Sequence, residues 1–138
     1  MNLTAALYDK LASDPTLAGL LATYKGLPAV FTVDPVPKDA VLPYIVTAGE
    51  VAHTPWDTKT TRGRSVIRDV RCYAEANGSA VVVEAIAERV RALLHRQPLQ
   101  IDGCHWLISD VTGPIVADEQ DAYGRILTLN LTVQEVIT

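Results

Sequence analysis

Basic residues are concentrated in one stretch of this 138-residue chain. Between positions 57 and 71, five basic residues outnumber two acidic ones, which leaves a local excess of three positive charges. The basic residues are Lys59, Arg62, Arg64, Arg68 and Arg71, the acidic ones are Asp57 and Asp69, and Trp56 and Tyr73 flank them. Basic and aromatic side chains together can bind nucleic acid. They can also anchor a protein interface, or simply keep an exposed strand soluble.

A second charged group contains only acidic residues: Asp118, Glu119 and Asp121. They fall in a predicted polar turn, Asp118–Gly124, where carboxylates are usually solvated. A basic group on one element and an acidic group on another would suit a head-to-tail contact between copies. The whole chain has a net charge of −4, whereas duplex-binding domains usually carry a strong basic excess.

No catalytic, cofactor or metal motif is recognisable in the sequence. The residues His53, His95 and His105 stand in no known signature, and no nucleophile elbow or phosphate-binding loop is present. Cys104 and His105 are adjacent, so on a strand they would point to opposite faces and could not easily share an ion. We therefore predict a protein that is not an enzyme and that holds no cofactor and no metal.

The length and composition predict one domain, residues 1–138, because 49% of the residues are apolar and no linker interrupts them. No run approaches the ~20 apolar residues that would span a bilayer, and the N-terminal residues lack the pattern of a secretion signal. We therefore expect a cytosolic setting, no membrane contact, and free thiols at Cys72 and Cys104.

The charged stretch lies on a predicted β-hairpin. An ascending strand, Leu42–Ala52, and a returning strand, Arg64–Ala76, are joined by the eleven residues 53–63. Each arm would be roughly 35–40 Å long at 3.3 Å per residue. On the returning arm Arg68 interrupts the apolar face, which predicts that this part of the hairpin leaves the core and projects outward.

Helices and strands are predicted to alternate in blocks along the chain. Residues 2–13 have helical periodicity, and Asp14 with Pro15 has the pattern of a helix start. Residues 80–96 form the clearest helix, and residues 99–111 are predicted to form a hairpin about Gly103. The last strand alternates strictly, with apolar side chains at Leu127, Leu129, Leu131 and Val133. This order predicts an α+β fold: an antiparallel sheet with one long helix packed on a face, N-terminal helices and a long projecting β-hairpin.

Several stretches also resemble a known family. They are Leu42-Pro-Tyr-Ile-Val, Thr54-Pro-Trp-Asp-Thr-Lys, Gly63-Arg64, the helix Val83-Glu-Ala-Ile-Ala-Glu-Arg-Val and the Asp102-Gly103 pair. They resemble the small tail-completion proteins of tailed phages and gene transfer agents, a group that includes tail terminators of the minor tail protein U type. The resemblance covers nearly the whole chain, and its motifs are structural.

The resemblance implies a tail terminator, a structural virion protein. Such proteins form a hexameric ring at the head-proximal end of the tail tube, stop tube polymerisation, and offer a docking face to head-completion proteins. The implied partners are further copies of the chain, the tail tube protein and a head-completion or connector protein. DNA would only pass through the lumen, and the protein would be part of a virion or phage-like particle assembled in the host cytoplasm.

These considerations give one interface hypothesis and one alternative. The hypothesis places intermolecular contacts at Trp56, Asp57, Lys59, Arg62, Arg64, Arg68, Asp118, Glu119 and Asp121, with Trp56 as the main anchor. The alternative is a nucleic-acid-binding module that uses the basic ribbon around Arg62–Arg71.

Overall fold

The computed structural model describes residues 2–119 and 121–136 as an α+β fold, as predicted. The helices are α1 (Leu3–Ala12), α2 (Pro15–Leu20) and α3 (Val81–Leu94). The strands are β1 (Thr23–Tyr24), β2 (Leu27–Pro28), β3 (Val30–Phe31), β4 (Tyr44–Asp57), β5 (Arg62–Glu75), β6 (Cys104–Val116) and β7 (Ala122–Glu135). The last five form one sheet in the order β3-β4-β5-β7-β6, in which the only parallel pair is β3 with β4.

Helices α1 and α3 pack on one face of this sheet, and α2 packs against both of them. The predicted start of α2 is confirmed: the Asp14 carboxylate accepts a hydrogen bond from the Leu17 amide (2.9 Å), and Pro15 occupies the first helical turn. On α3 the helical spacing of apolar residues predicts a buried stripe at Val83, Ile86, Ala87, Val90, Leu93 and Leu94. All of these except the half-buried Leu93 are buried against the inward side chains of β5 and β7. In the final strand, the predicted alternation is confirmed, and its four apolar side chains are at most 1% exposed.

The other face of the sheet, here called the open face, carries no helix within the described residues. At one end, Val36 and Leu42 from the proline-rich segment after β3 pack on Val46 and Tyr73. Along the rest of the face, half-buried polar residues of β7 such as Thr128, Asn130 and Thr132 alternate with the core positions.

Two predictions about the hairpin were wrong. The connection is not eleven residues long, because β4 continues to Asp57 and β5 begins at Arg62, and the Thr58 amide donates to the Thr61 carbonyl (2.9 Å) to close a short turn. Arg68 does not mark a strand that leaves the core, since its residue is only 8% exposed and β5 stays paired with β7 from Gly63 to Glu75. What extends beyond the paired strands is the turn 58–61.

The predicted hairpin at residues 99–111 was also wrong. Residues 99–102 form no strand: Leu99 and Ile101 are buried, and the Cys104 amide donates to the Ile101 carbonyl (3.1 Å) in a turn that uses Gly103 at φ 77°. Strand β6 instead runs from Cys104 to Val116 and pairs with β7. The alternation of apolar residues in 99–102 is typical of a strand. In the structure these residues belong to a loop, and the side chains of Leu99 and Ile101 pack into the core on the helix side of the sheet.

Candidate interaction surfaces

The two charged groups lie at opposite ends of the sheet. We call the end that carries Asp57, Arg62 and Glu135 the distal end, and the end that carries Glu75 and Ala122 the proximal end. The basic stretch begins at the distal end, while Asp118, Glu119 and Asp121 lie in the β6–β7 turn at the proximal end. The fold therefore keeps the two groups of predicted site residues apart within one subunit.

Trp56 packs on its own hairpin. It pairs across the ladder with Gly63, and a Cβ atom added to Gly63 would lie 1.9 Å from Trp56 Cε2. The indole thus covers the glycine backbone on the open face, where it is half-buried, and its Nε1 is buried without a hydrogen-bond partner among the described residues. At the proximal end Tyr73 pairs with Gly124, where an added Cβ atom would lie 2.3 Å from the Ala117 carbonyl oxygen and 2.9 Å from Tyr73 Cε1. A cross-strand aromatic ring that covers a glycine fixes strand register.

Arg64 belongs to an ionic chain on the helix side of the distal end. Its Nε donates to the Glu135 carboxylate, and this hydrogen bond lowers the pKa of Glu135. Its Nη1 lies 3.1 Å from His53 Nε2, and His53 Nδ1 lies 3.4 Å from a Glu50 oxygen. The His53 imidazole therefore lies between the Arg64 guanidinium and the Glu50 carboxylate. Arg64 is therefore bound within the subunit.

Arg68 continues the same chain into the core. Its Nη2 lies 3.7 Å from Glu50, and its Nη1 donates to the Thr4 hydroxyl (3.0 Å) at the start of α1. The guanidinium links the sheet to the first helix, while its Nε is buried without a partner in the described part of the chain. An arginine at this position contributes to packing and is not a surface residue for a partner.

Only two members of the basic stretch are exposed, Lys59 and Arg62. Arg71 is half-buried on the open face beside Tyr73. The local excess of positive charge in the sequence is therefore not a basic surface in the fold. Nucleic acid binding depends mainly on cations that meet phosphates, so this arrangement weighs against the alternative function.

The acidic turn is partly neutralised from within. The Asp118 carboxylate accepts from the Gly124 amide (3.1 Å) and from Arg125 Nη1 (3.2 Å), and Arg125 also reaches Glu84 (3.3 Å). Glu119 and Asp121 are exposed, as is Glu75 on the same end of the sheet. The proximal end thus presents acidic side chains. The distal end is mixed, because the exposed acids Asp57 and Asp102 accompany its two exposed bases.

One cleft among the described residues lies close to the predicted site residues. It is an open depression of about 460 Å³ at the distal end, lined by His53, Pro55, Asp57, Arg62, Gly63, Arg64 and Glu135. This lining offers no hydroxyl or thiol nucleophile, and Arg64 pairs with both His53 and Glu135. No group of three or more His, Cys, Asp or Glu residues in the described ranges could hold a metal ion.

The remaining candidate chemistry is structural. His95 Nδ1 accepts from the Val111 amide (3.0 Å), and burial raises the pKa of Cys72 to about 12, so this thiol is unreactive at neutral pH. Cys104 is half-buried and both cysteines are free. No helix among the described residues has the length and apolarity needed to cross a membrane.

Sequence reasoning missed the apolar residues at the sheet edges. Strand β6 is an edge strand that pairs with β7 on one side only. Its exposed apolar residues are Leu107, Ile108, Ile115 and Val116. The signal was present in the sequence, because two consecutive apolar residues in a strand cannot both point to the core. The wrong hairpin assignment concealed it.

Comparisons with known proteins identify a family and a similar fold. Residues 5–133 match the family described as tail completion protein gp17. In structure, the chain is similar to a chain of the virion of a native gene transfer agent particle, with a TM-score of 0.76 and 21% sequence identity. The similarity covers 96% of this chain and 94% of that chain, which shows a shared fold. No curated protein matches the sequence.

Proposed function

Because the chain belongs to the tail completion protein gp17 family, and is thus a structural tail protein, we propose that it is a tail terminator. Copies of the chain form a ring at the head-proximal end of the tail tube. The ring stops polymerisation of the tube protein and provides the surface to which head-completion proteins bind. The protein acts by binding and carries out no catalysis.

The observation that carries this proposal is the difference between the two ends of the sheet. A ring that joins a tail to a head binds a different partner on each of its two faces. In the subunit, the proximal end exposes Glu75, Glu119 and Asp121, whereas the distal end exposes a threonine-rich turn with mixed charges. If the strands run along the ring axis, these two ends become the two faces.

Assembly of purified proteins tests the proposal. Tail tube protein that polymerises alone is expected to give long tubes, and addition of this chain is expected to give shorter tubes with a ring at one end in negative-stain images. Mass measurement of the chain, alone and with tube protein, should detect the ring, for which the resemblance implies six copies. Tubes that grow to the same length with and without the chain would overturn the proposal.

Two charge-reversed variants sharpen this test. One changes the proximal end, Glu119→Lys with Asp121→Lys, and the other changes the hairpin turn, Lys59→Glu with Arg62→Glu. All four side chains are exposed, so both variants should fold. Since each ring face has its own partner, we expect one variant to lose tube capping and the other to keep it. Loss or retention of capping by both variants would contradict the assignment of the two ends to two faces.

The nucleic-acid alternative has a separate test. A salt-dependent gel shift would reveal phosphate contacts by Lys59 and Arg62. We expect no shift at low salt, and a shift that weakens with salt would support the alternative.

A further inference from the structure

We propose that neighbouring copies of the chain bind each other through the two opposite edges of the five-stranded sheet, an inference that rests on the proposed ring. We call residues 47–57 of β4, with the segment 27–43 that carries β3, the β4 edge. Strand β6, Cys104–Val116, is the β6 edge. The β4 edge of one copy lies against the β6 edge of the next.

Exposed apolar side chains are concentrated on these two edges. On the β4 side of the sheet, Val51 of β4 is 62% exposed, and Leu27, Val33 and Val41 of the segment 27–43 are 56% to 57% exposed. The β6 edge carries Leu107, Ile108, Ile115 and Val116, between 36% and 64% exposed. The other large apolar residues that are exposed in the described ranges are Val81, Val82 and Val136. Clustered exposed apolar residues mark surfaces that a partner covers.

The presence of apolar residues on both edges selects the kind of contact. A two-fold dimer through one edge would leave the other apolar edge of each copy exposed to water. A head-to-tail contact covers both edges of every copy, and it leaves no apolar edge exposed when the chain of copies closes on itself. The distribution of side chains within a single subunit therefore favours a closed ring over a dimer.

Strand direction and size are compatible with this contact. Strands β4 and β6 run in opposite directions in the sheet, so copies placed side by side in the same orientation bring them together as antiparallel neighbours. The thirteen residues of β6 extend about 40 Å. With a sheet and a helix layer each about 10 Å deep, the side of the subunit offers about 800 Å², the size of a standard interface per partner.

The edges also carry features that limit backbone pairing. Each edge strand contains one proline, Pro55 in β4 and Pro114 in β6, and each has two register shifts against its inner neighbour. Prolines and bulges interrupt a continuous ladder of hydrogen bonds between edges. We therefore assign the contact between copies mainly to side chains. The interrupted ladder also disfavours the pairing of free subunits into fibres before assembly.

Thiol cross-linking tests the contact. Thr54 and Ile108 are exposed and lie at the same height on opposite edges, since Thr54 pairs with Ser65, Ser65 with Thr132, and Thr132 with Ile108. One variant carries Thr54→Cys and another carries Ile108→Cys, both in a Cys104→Ser background. A short bismaleimide is added to the assembled mixture and to each variant alone. Val81→Cys replaces Thr54→Cys as the matched control, because Val81 is 71% exposed but lies at the start of α3.

The expected result is a cross-linked dimer in the mixture of the two edge variants and none with either variant alone or with the Val81 control. A chain that carries both edge cysteines should give a ladder up to the ring size. A ring that assembles by mass but cross-links only within one variant, or not between the edges, would overturn the edge contact and leave the proposed function standing. A chain that stays monomeric with and without tube protein would overturn the ring itself.

Discussion

The contact between Trp56 and Gly63 gives the sharpest test of the hairpin geometry. Because a Cβ at Gly63 would lie 1.9 Å from the indole, Gly63→Ala forces the ring or the strand to move. Overpacking of this kind costs about 1–3 kcal/mol of unfolding free energy. If Trp56→Ala is made first, the three atoms that lie nearest to this methyl group are removed, and replacement of a strand glycine by alanine then stabilises by roughly 0.5–1 kcal/mol.

The double-mutant cycle should therefore show a coupling of at least about 1.5 kcal/mol, with the second substitution relieving the first. Urea unfolding followed by far-ultraviolet circular dichroism measures all four proteins, since this signal does not depend on Trp56. Additivity within about 0.5 kcal/mol would refute the packing of Trp56 on Gly63. Such a result would favour the prediction from the sequence, in which the indole points outward and anchors a partner. In that case Trp56→Ala should weaken assembly while the monomer stays folded.

Substitutions at three further positions probe the interior contacts, each by urea unfolding. Asp14→Asn keeps the helix cap but removes the ion pair with the solvent-accessible Arg89 and should cost about 0.5–1 kcal/mol at pH 7. Since the hydrogen bond from Arg89 lowers the pKa of Asp14 from its usual 3.8, this difference should be full above that value and fade as the pH falls below it; equal stability at pH 7 would contradict it. Ser109→Ala should cost about 1–2 kcal/mol, because the fully buried hydroxyl bonds the Leu94 carbonyl and accepts from the indole of Trp106; a neutral change would mean that water replaces it. Arg68→Met should be neutral or stabilising, whereas Arg68→Ala should destabilise by about 2–4 kcal/mol; a large loss in both would show that the charge itself is needed.

The sequence correctly predicted those helices and strands that are determined by residues close to one another in the chain. The apolar stripe of α3 and the alternation of β7 each follow from one periodicity, and the start of α2 follows from the hydrogen-bonding capacity of Asp14. These features require no knowledge of the rest of the fold, so the sequence alone was sufficient for them.

Arg68 and the hairpin turn show where such patterns are insufficient. A buried arginine looks like an exposed one in sequence, and only the position of α1 reveals that Thr4 and Glu50 receive its guanidinium. The register of β4 on β5 likewise depends on contacts between residues distant in sequence. Trp56 covers Gly63 across the two strands, and β7 pairs with the other side of β5. The charge count in the basic stretch was correct, but pairing across the sheet decides which of those charges a partner can meet.

Apolar side chains lie at the two edges of the sheet and exposed charges lie at its two ends, so salt should affect contacts at the edges and contacts at the ends differently. Arg64, Arg68, Arg89 and Arg125 all face carboxylates of their own subunit, so charge contributes to binding mainly through the ends of the sheet. At 1 M salt the screening length falls to about 3 Å, which weakens contacts between exposed charges and leaves apolar contacts intact or stronger. Rings held by the two edges should therefore persist at 1 M sodium chloride, while binding of a partner at the acidic proximal end should weaken. Mass measurement and co-sedimentation at low and high salt separate the two contacts. Rings that dissociate at high salt while that partner stays bound would reverse the assignment of the edges and the ends.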